Sequence, residues 1–564
     1  MALSKVDIRE KRIAIENPKE SLNGERRIPM AKRTLATLLA VLIMLTALPL
    51  AFASAEASNS NFNPTGLPIV KEKVTLRILT GNSAANPADF NDLQIIKDIE
   101  AATNVHIEWI MAGAGFEEKK SLMLATGDLP DIINRSVTAA ELVKYGANGT
   151  FIPMQDLIDN YAPNTLKLFD ETSGLRQFLT APDGNIYGVP RMNSAPWTAA
   201  NGLGIINKTW LDKLGLAMPT TIEEFYNVLL AFKNGDPNGN GVADEIPMAF
   251  AKFNNAGATT LSDVNGISYL MAVFGVPMGL EYMDVKDGKV VSAATTGEYK
   301  EAVKYISKMY AEGLIDPESF TMSREQLNAK ISQDPFTVGY IQGWDIGDEF
   351  SNPAAKENYA FMPLLKGLEG SDPVFYEVPL YGVSRGAGVI TSACQYPEVA
   401  MRWIDYILDT YTSMQICEGP IGVRIADKGD GTYEVKPAPE GKNATQWKDE
   451  NALGGSGFFA ITSNTFANIL RFPATDAKVA FLNESALPYA DKEAFPPVYY
   501  TVEEADEVAL LKTDILSYIE RKGSEWIMNG GVDEQWDAYL AELNAMGLTR
   551  LMEINQAAYD RFIK

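Results

Sequence analysis

The sequence predicts an α/β fold closed by a helical C-terminal region, and two patterns carry that prediction. Val74-Thr-Leu76-Arg-Ile78 alternates apolar and polar residues. Ile95, Ile96 and Ile99 recur at helical spacing within Asn91–Ala102, and Val105-His-Ile107-Glu-Trp109 alternates again. Strand, helix and strand within about 40 residues make a βαβ unit, whose crossover sets the two strands parallel. From Val502 onward the apolar residues keep a helical period. Three helices are expected there, one lined by Trp536, Leu540 and Leu543 and stopped by Gly547.

Between these ends the chain keeps alternating. A third α/β step has a helix near Glu117–Thr126 and a short strand at Asp131–Asn134. Past Tyr187-Gly-Val-Pro190, a loop rich in Asn, Pro and Gly leads to an extended segment at Leu203–Asn207. Thr220 and Thr221 precede Glu223 and Glu224, a capping-box signal for a helix Ile222–Phe232. Phe336–Ile341 reads as a strand. Pro397 opens a helix running to about Met414, with Trp403, Ile407 and Tyr411 on one face. No internal repeat or low-complexity tract interrupts the pattern.

A chain of 564 residues has material for two or more lobes around substantial cores. Its net charge of -24 repels nucleic acid and anionic membrane surfaces, so neither is an expected partner. From Met30, Lys32 and Arg33 precede an apolar run from Leu35 to Phe52, which ends at Ala51-x-Ala53 and Ala53-x-Ala55. That order describes a secretory signal peptide over 30–55, followed by a Ser/Asn/Pro-rich tether over 56–70, and places the protein outside the cell membrane or in a periplasm. Cys394 and Cys417 are the only cysteines; a disulfide and two buried thiols are equally open to an exported chain.

Asp236-Pro-Asn238-Gly-Asn240-Gly241-Val242-Ala-Asp244-Glu245 sets oxygen donors at relative positions 1, 3, 5 and 9, with Gly241 at the sharp sixth position. That is the opening of an EF-hand loop, in which a hard cation gathers about 6–8 oxygens. Position 12 is Pro247 instead of the usual Glu, so Glu245 at position 10 is the acid left to close the shell. We expect Asp236, Asn238, Asn240, the Val242 carbonyl, Asp244 and Glu245 to hold one structural Ca²⁺. The bland alternative is a polar Asn-Gly turn.

Catalytic patterns are weak. Gly382-Val-Ser384-Arg-Gly386 matches G-x-S-x-G, but a nucleophile elbow needs a helix after it and a downstream His. The single histidine, His106, lies far upstream, and Ala387–Thr391 reads as a strand. One His and two distant Cys supply no zinc set. Gly454-Gly-Ser-Gly457 lacks the Lys of a phosphate loop and reads as a mobile turn. No enzyme is expected, and a secreted glycan-cleaving enzyme is the runner-up. The loop aromatics Trp197, Trp344 and Tyr381 suit a glycan site instead, because sugar C–H faces pack on indole and phenol rings.

Several segments together resemble the family 1 bacterial extracellular solute-binding proteins, the carbohydrate-capturing components of ABC importers. They are Thr126–Ile132, Asp183–Pro190, Ile206–Gly215, Met218–Phe225 and Tyr396–Asp405. Phe495-Pro-Pro497, Met546-Gly-Leu and Ala557-Ala-Tyr-Asp560 resemble its large oligosaccharide-binding branch, which includes alginate-binding proteins with a similar calcium loop. The resemblance implies a monomeric two-lobed, periplasmic-binding-protein-like fold, with hinge strands crossing near Tyr187–Trp197 and Tyr376–Ala387. The first lobe would hold 71–190 and 384–425, and the second 191–383 and 426–564. Asp131, Tyr187, Trp197, Trp344 and Tyr381 would face an oligosaccharide, delivered to the importer's permease subunits. No lipobox Cys follows the apolar run. No Arg/Lys cluster adjoins the aromatics, which favours a neutral sugar over a polyanion. A sugar-sensing co-receptor is the third reading.

Overall fold

Alternation of buried and exposed residues along Val74–Thr80 makes strand β1, whose inward set includes Leu76 and Ile78. The computed structural model describes residues 61–196, 203–251, 267–276, 280–375, 380, 382–490 and 494–564. The expected signal peptide and most of the tether lie outside these residues, as do Trp197 and Tyr381. After β1 come a helix Gln94–Thr103, strand β2 (Val105–Met111), a helix Phe116–Thr126 and strand β3 (Ile132–Val137). β1 pairs in parallel with both β2 and β3, the register that the βαβ spacing dictates.

The chain then reaches β4 (Val189–Asn193) and β5 (Leu203–Asn207). Thr221 and Glu224 form a full capping box at the start of the helix Ile222–Asn234. Ile222, Phe225, Val228, Leu229 and Phe232 bury one stripe of that helix, worth about 1.5–3 kcal/mol for each large side chain. β6 (Ile246–Met248) follows, then the hairpin β7 (Met283–Lys286) and β8 (Lys289–Ser292), β9 (Val338–Gly343) and β10 (Tyr359–Met362). β11 (Val383–Ile390), β12 (Ile425–Asp427), β13 (Tyr433–Val435), β14 (Ala460–Ile461) and β15 (Leu470–Arg471) complete the strands.

Two sheets organise the molecule. One has six strands in the order β14-β4-β11-β3-β1-β2, the other four in the order β10-β5-β9-β6. The chain crosses from the first to the second between β4 and β5, and returns between β10 and β11. It does not leave the first sheet at residue 425. β14 pairs with β4, so Ala460 and Ile461 still belong there. The helices Val502–Asn529, Val532–Ala545 and Leu548–Phe562 bury Trp526, Tyr539, Leu543 and Ile554 in the same core as Leu203, Phe225 and Tyr340 of the second sheet. Asn63–Lys564 form one unit. Among the described residues no helix is long and apolar enough to cross a membrane.

Two local expectations change, and one open alternative is resolved. The helix from Pro397 stops at Ile407, and a second, Thr410–Glu418, restarts because the Asp409 carboxylate accepts from the Tyr411 and Thr412 amides at 3.0 and 3.2 Å. Trp403 and Ile407 stay buried while Tyr411 turns out to solvent. The Gly454–Gly457 turn is anchored and not mobile: the Ser456 carbonyl accepts from Asn134 Nδ2 at 2.8 Å and Thr80 Oγ1 at 3.1 Å. Both cysteines are free thiols, with burial pushing Cys394 up to about 12 and Cys417 higher still.

Candidate functional site

The parallel strands β1, β2 and β3 all end on one side of the first sheet, the edge where open α/β sheets place ligands. Asn82 and Ser83 beyond β1, Gly113 beyond β2 and Arg135 near the end of β3 line a cavity of 440 Å³ there. Opposite them stand Thr445, Lys448 and Asp449 of the helix Ala444–Asp449. Ser83 Oγ donates to Asp449 Oδ2 at 2.7 Å and Asn86 Nδ2 to the Asp449 carbonyl at 2.8 Å, tying the wall to β1. A second cavity of 640 Å³ shares Thr445 and Lys448 with the first, and reaches Asn193, Cys417, Arg424 and Phe472. Its Arg424 donates to Glu418 Oε2 at 3.0 Å and lies 4.5 Å over the Trp447 ring.

β3 does not run straight into this site. Its pairing with β11 slips between Gly386 and Gly388, and Arg135 and Ser136 adopt left-handed φ values of 72° and 59°. A bulge of this kind re-aims side chains beside functional sites. No short-range signal in Asn134-Arg-Ser136 announces it, because the partner strand lies some 250 residues on.

The expected ligand residues are dispersed. Asp131 sits at the start of β3, the opposite end from Arg135. Its carboxylate accepts from the Arg77 amide at 2.7 Å, its amide donates to the Arg77 carbonyl at 2.9 Å, and its carbonyl accepts from the Thr391 amide at 3.0 Å. It stitches strands and lines neither cavity. Tyr187 is only 3% exposed; its hydroxyl donates to Asp183 Oδ2 at 2.6 Å and its ring covers Gly146, where no Cβ would fit. Burial, with the Asp183 carboxylate beside it, pushes its phenol up to about 12. Tyr187 is a core residue. Trp344 follows β9, half-buried; its amide donates to Glu349 Oε1 at 2.7 Å and Lys478 lies 3.7 Å over its ring. Neither cavity's lining includes it.

The acidic loop after the helix Ile222–Asn234 is folded around Asp236. Asp236 Oδ1 accepts from the Gly239 and Asn240 amides at 2.8 and 3.1 Å, and Oδ2 from the Gly241 amide at 3.0 Å. Gly239 and Gly241 take φ of 79° and 75°, which the tight turn requires. Asn238 and Asn240 point their amide nitrogens at Asp244, at 2.9 and 3.0 Å. Glu245 differs: both its carboxylate oxygens are sealed from solvent with no hydrogen-bond partner. Burial first, then the charges of Asp244 and Asp236, pushes its carboxyl above the ordinary value. Among the described residues no set of three His, Cys, Asp or Glu is gathered in metal-holding geometry. The donors nonetheless suit a hard cation, because an orphaned carboxylate beside two others is what such an ion relieves.

The match to a family model for bacterial extracellular solute-binding proteins spans residues 94–465. The chain belongs to that family. Within it, the chain is 34% identical over 525 residues to the fructooligosaccharide ABC transporter substrate-binding protein FusA of Streptococcus pneumoniae, covering 90% of this chain and 94% of that one. The solved structure of an EF-hand mutant of FusA with fructo-nystose has a TM-score of 0.74 at 33% identity, covering 87% of this chain and 99% of the other. A human-milk-oligosaccharide-binding solute-binding protein from Bifidobacterium longum infantis has a TM-score of 0.76 at 26% identity, over 87% and 99%.

For a solute-binding protein the G-x-S-x-G match finds a structural explanation. Val383–Arg385 run in β11 as extended chain with no helix after them, and a Cβ at Gly386 would collide with the Val137 carbonyl of β3. Glycine is there for close strand passage. Between the glycines, Arg385 is buried and donates to the carbonyls of Phe178 (2.7 Å), Val498 (3.3 Å) and Pro497.

Proposed function

We propose that this solute-binding protein captures an oligosaccharide beside the strand ends of the first sheet and hands it to an ABC importer. The observation that carries the reading is the likeness to FusA over nearly the whole of both chains. A site lined by Asn, Ser, Arg, Lys and Asp side chains suits it, since planar and hydroxyl groups match sugar hydroxyls. Ligand contacts made by both lobes favour the closed arrangement and shift the population toward it. A glycan panel read by thermal shift tests this. Fructo-oligosaccharides or related short chains should raise the melting temperature without releasing new reducing ends. No shift with any glycan removes the reading, and newly formed reducing ends favour the glycan-cleaving alternative.

The same proposal includes one structural Ca²⁺, held by Asp236, Asn238, Asn240, the Val242 carbonyl, Asp244 and Glu245. The ion would offset the charges that Asp244 and Asp236 bring to the unpartnered Glu245 carboxylate. Asp236 shapes the loop through the three amides it accepts, while Asp244 and Glu245 close it. Binding to the native state alone stabilises by mass action, about 2.7 kcal/mol at a hundredfold excess over Kd. Equal melting temperatures in chelator and in millimolar calcium would exclude it. Export through a cleaved signal peptide completes the reading. Mass spectrometry of secreted material should find an N-terminus just after Ala53 or Ala55, and a chain starting at Met30 would overturn that.

A further inference from the structure

The second cavity carries a donor that the protein itself leaves unused. Arg424 lines this 640 Å³ space and is only 4% exposed. Its Nε donates to the Glu418 carbonyl and its Nη2 to Glu418 Oε2 at 3.0 Å. The guanidinium lies 4.5 Å over the Trp447 ring. Its stem passes Gly419, where φ is 99° and a Cβ would stand 3.0 Å from Arg424 Cδ, so glycine makes room for it. Edge, face and stem are fixed, and of the three guanidinium nitrogens Nη1 alone has no hydrogen-bond partner. A buried donor left open costs the ligand-free protein, and that cost is recovered when an acceptor arrives.

The first cavity holds the complementary group. Asn134 lines it and is 1% exposed. Its Nδ2 donates to Thr80 Oγ1 at 3.0 Å and to the Ser456 carbonyl at 2.8 Å, while Oδ1 has no partner. The reverse orientation of the amide would set Oδ1 against that carbonyl, so the open atom is the acceptor. One cavity therefore offers an acceptor and the other a donor, and Thr445 and Lys448 belong to both linings. A hydroxyl both donates and accepts, so one polyhydroxylated chain answers both groups. Glu418 already balances the charge of Arg424, which suits a neutral sugar better than a carboxylate. Phe466 and Phe472, with ring centroids 5.6 Å apart, line the same cavity as Arg424 and provide apolar surface for sugar C–H faces.

We propose that the second cavity is an extension subsite. A linear neutral oligosaccharide runs from the first cavity past Thr445 and Lys448 into the second. There Arg424 Nη1 donates to a sugar oxygen and Phe472 packs on a ring face, so these two residues select for chain length. The inference rests on the oligosaccharide reading above and adds where length is read. A short saccharide held in the first cavity leaves the Arg424 donor open; a longer one closes it.

Calorimetric titration with kestose and with the longer fructo-nystose tests the subsite on wild type, Arg424→Lys and Phe472→Leu. Wild type should bind the longer chain at least about tenfold more tightly. Arg424→Lys keeps a cation opposite Glu418 but loses Nη1 and the stacked plane, and Phe472→Leu keeps an apolar side chain but loses the ring. Each should bring the ratio of the two affinities to within about twofold. A merely structural role lowers both affinities together and leaves the ratio standing, which refutes the subsite. A ratio that survives in Arg424→Lys alone removes the arginine from it. Ligand-free melts accompany each titration, and if Arg424→Lys does not fold, the ratio in Phe472→Leu decides. Wild type with equal affinity for both probes refutes the subsite and leaves the oligosaccharide reading in place. Wild type that takes up neither probe refutes both.

Discussion

At Glu245 two carboxylate oxygens are out of water with no donor facing them, beside the charges of Asp236 and Asp244. Its folded-state pKa lies above the ordinary 4.5, so the native state keeps the proton longer than the unfolded chain as pH rises. The stability this contributes is complete below about pH 4.5 and is lost as pH climbs through the raised value. In chelator, Glu245→Gln should therefore raise the melting temperature near neutral pH and flatten its fall with pH, by about 1–3 kcal/mol. In calcium the same variant should lose most of the metal-dependent gain. A variant that matches wild type in both buffers would refute the assignment of Glu245. At this scale the sequence was legible where chemistry is local. The spacing of Asp236, Asn240 and Gly241 marked a sharp polar loop, and the structure closes it with the Gly239, Asn240 and Gly241 amides donating to the Asp236 carboxylate. Asp131 lies at the start of β3 and lines neither cavity, because a shared segment does not reveal which end of a strand faces them. Trp344 was read as a loop aromatic suited to a sugar, and Lys478, 134 residues on, lies over its ring. Trp344→Ala separates platform from packing. An affinity loss of about 1–3 kcal/mol with an unchanged melt marks a sugar platform; a stability loss alone marks a packed ring.

Elements with local causes came through intact. The capping box at Thr221 and Glu224 and the alternation in β1 and β2 depend on neighbours a few residues apart. The break at Leu408–Asp409 was missed because apolar periodicity continues across it, and only the Asp409 cap reveals the restart. β11 is the element whose role sequence could not show. It returns the chain to the first sheet between β3 and β4, and Arg385 bolts it to Phe178 and to Pro497–Val498. The guanidinium is sandwiched 3.9 Å from the Phe178 ring and 4.2 Å from Tyr499. Arg385→Met keeps the stem and strands three carbonyls, at about 1–3 kcal/mol for each one left dry. Chemical denaturation should show a loss of about 3 kcal/mol or more, while the exposed neighbour Ser384→Ala should match wild type in stability and in ligand binding. Stability unchanged by Arg385→Met would mean that water replaces the bolt.

Across the whole molecule, the chain visits the first sheet, then the second, then the first again, and finishes in helices packed on the second. Contact between termini and core is therefore long-range, which is why the lobe boundary expected at residue 425 fell short of β14. The last three helices are as much a part of the second lobe as its sheet. Val508, Ile515, Leu516, Ile519, Trp526, Ile527, Tyr539, Leu543, Leu551 and Ile554 are all buried in them. At about 1.5–3 kcal/mol for each side chain, their loss exceeds the roughly 5–15 kcal/mol that holds a whole domain folded. A chain stopped before Val502 should express as aggregate or molten protein, with Tyr299 and Ile306 left uncovered. Calcium and ligand act only on the folded state, so neither should rescue it. A soluble truncated chain with a cooperative melt would show instead that the helices are an independent appendage, and that the two sheets close their cores without them.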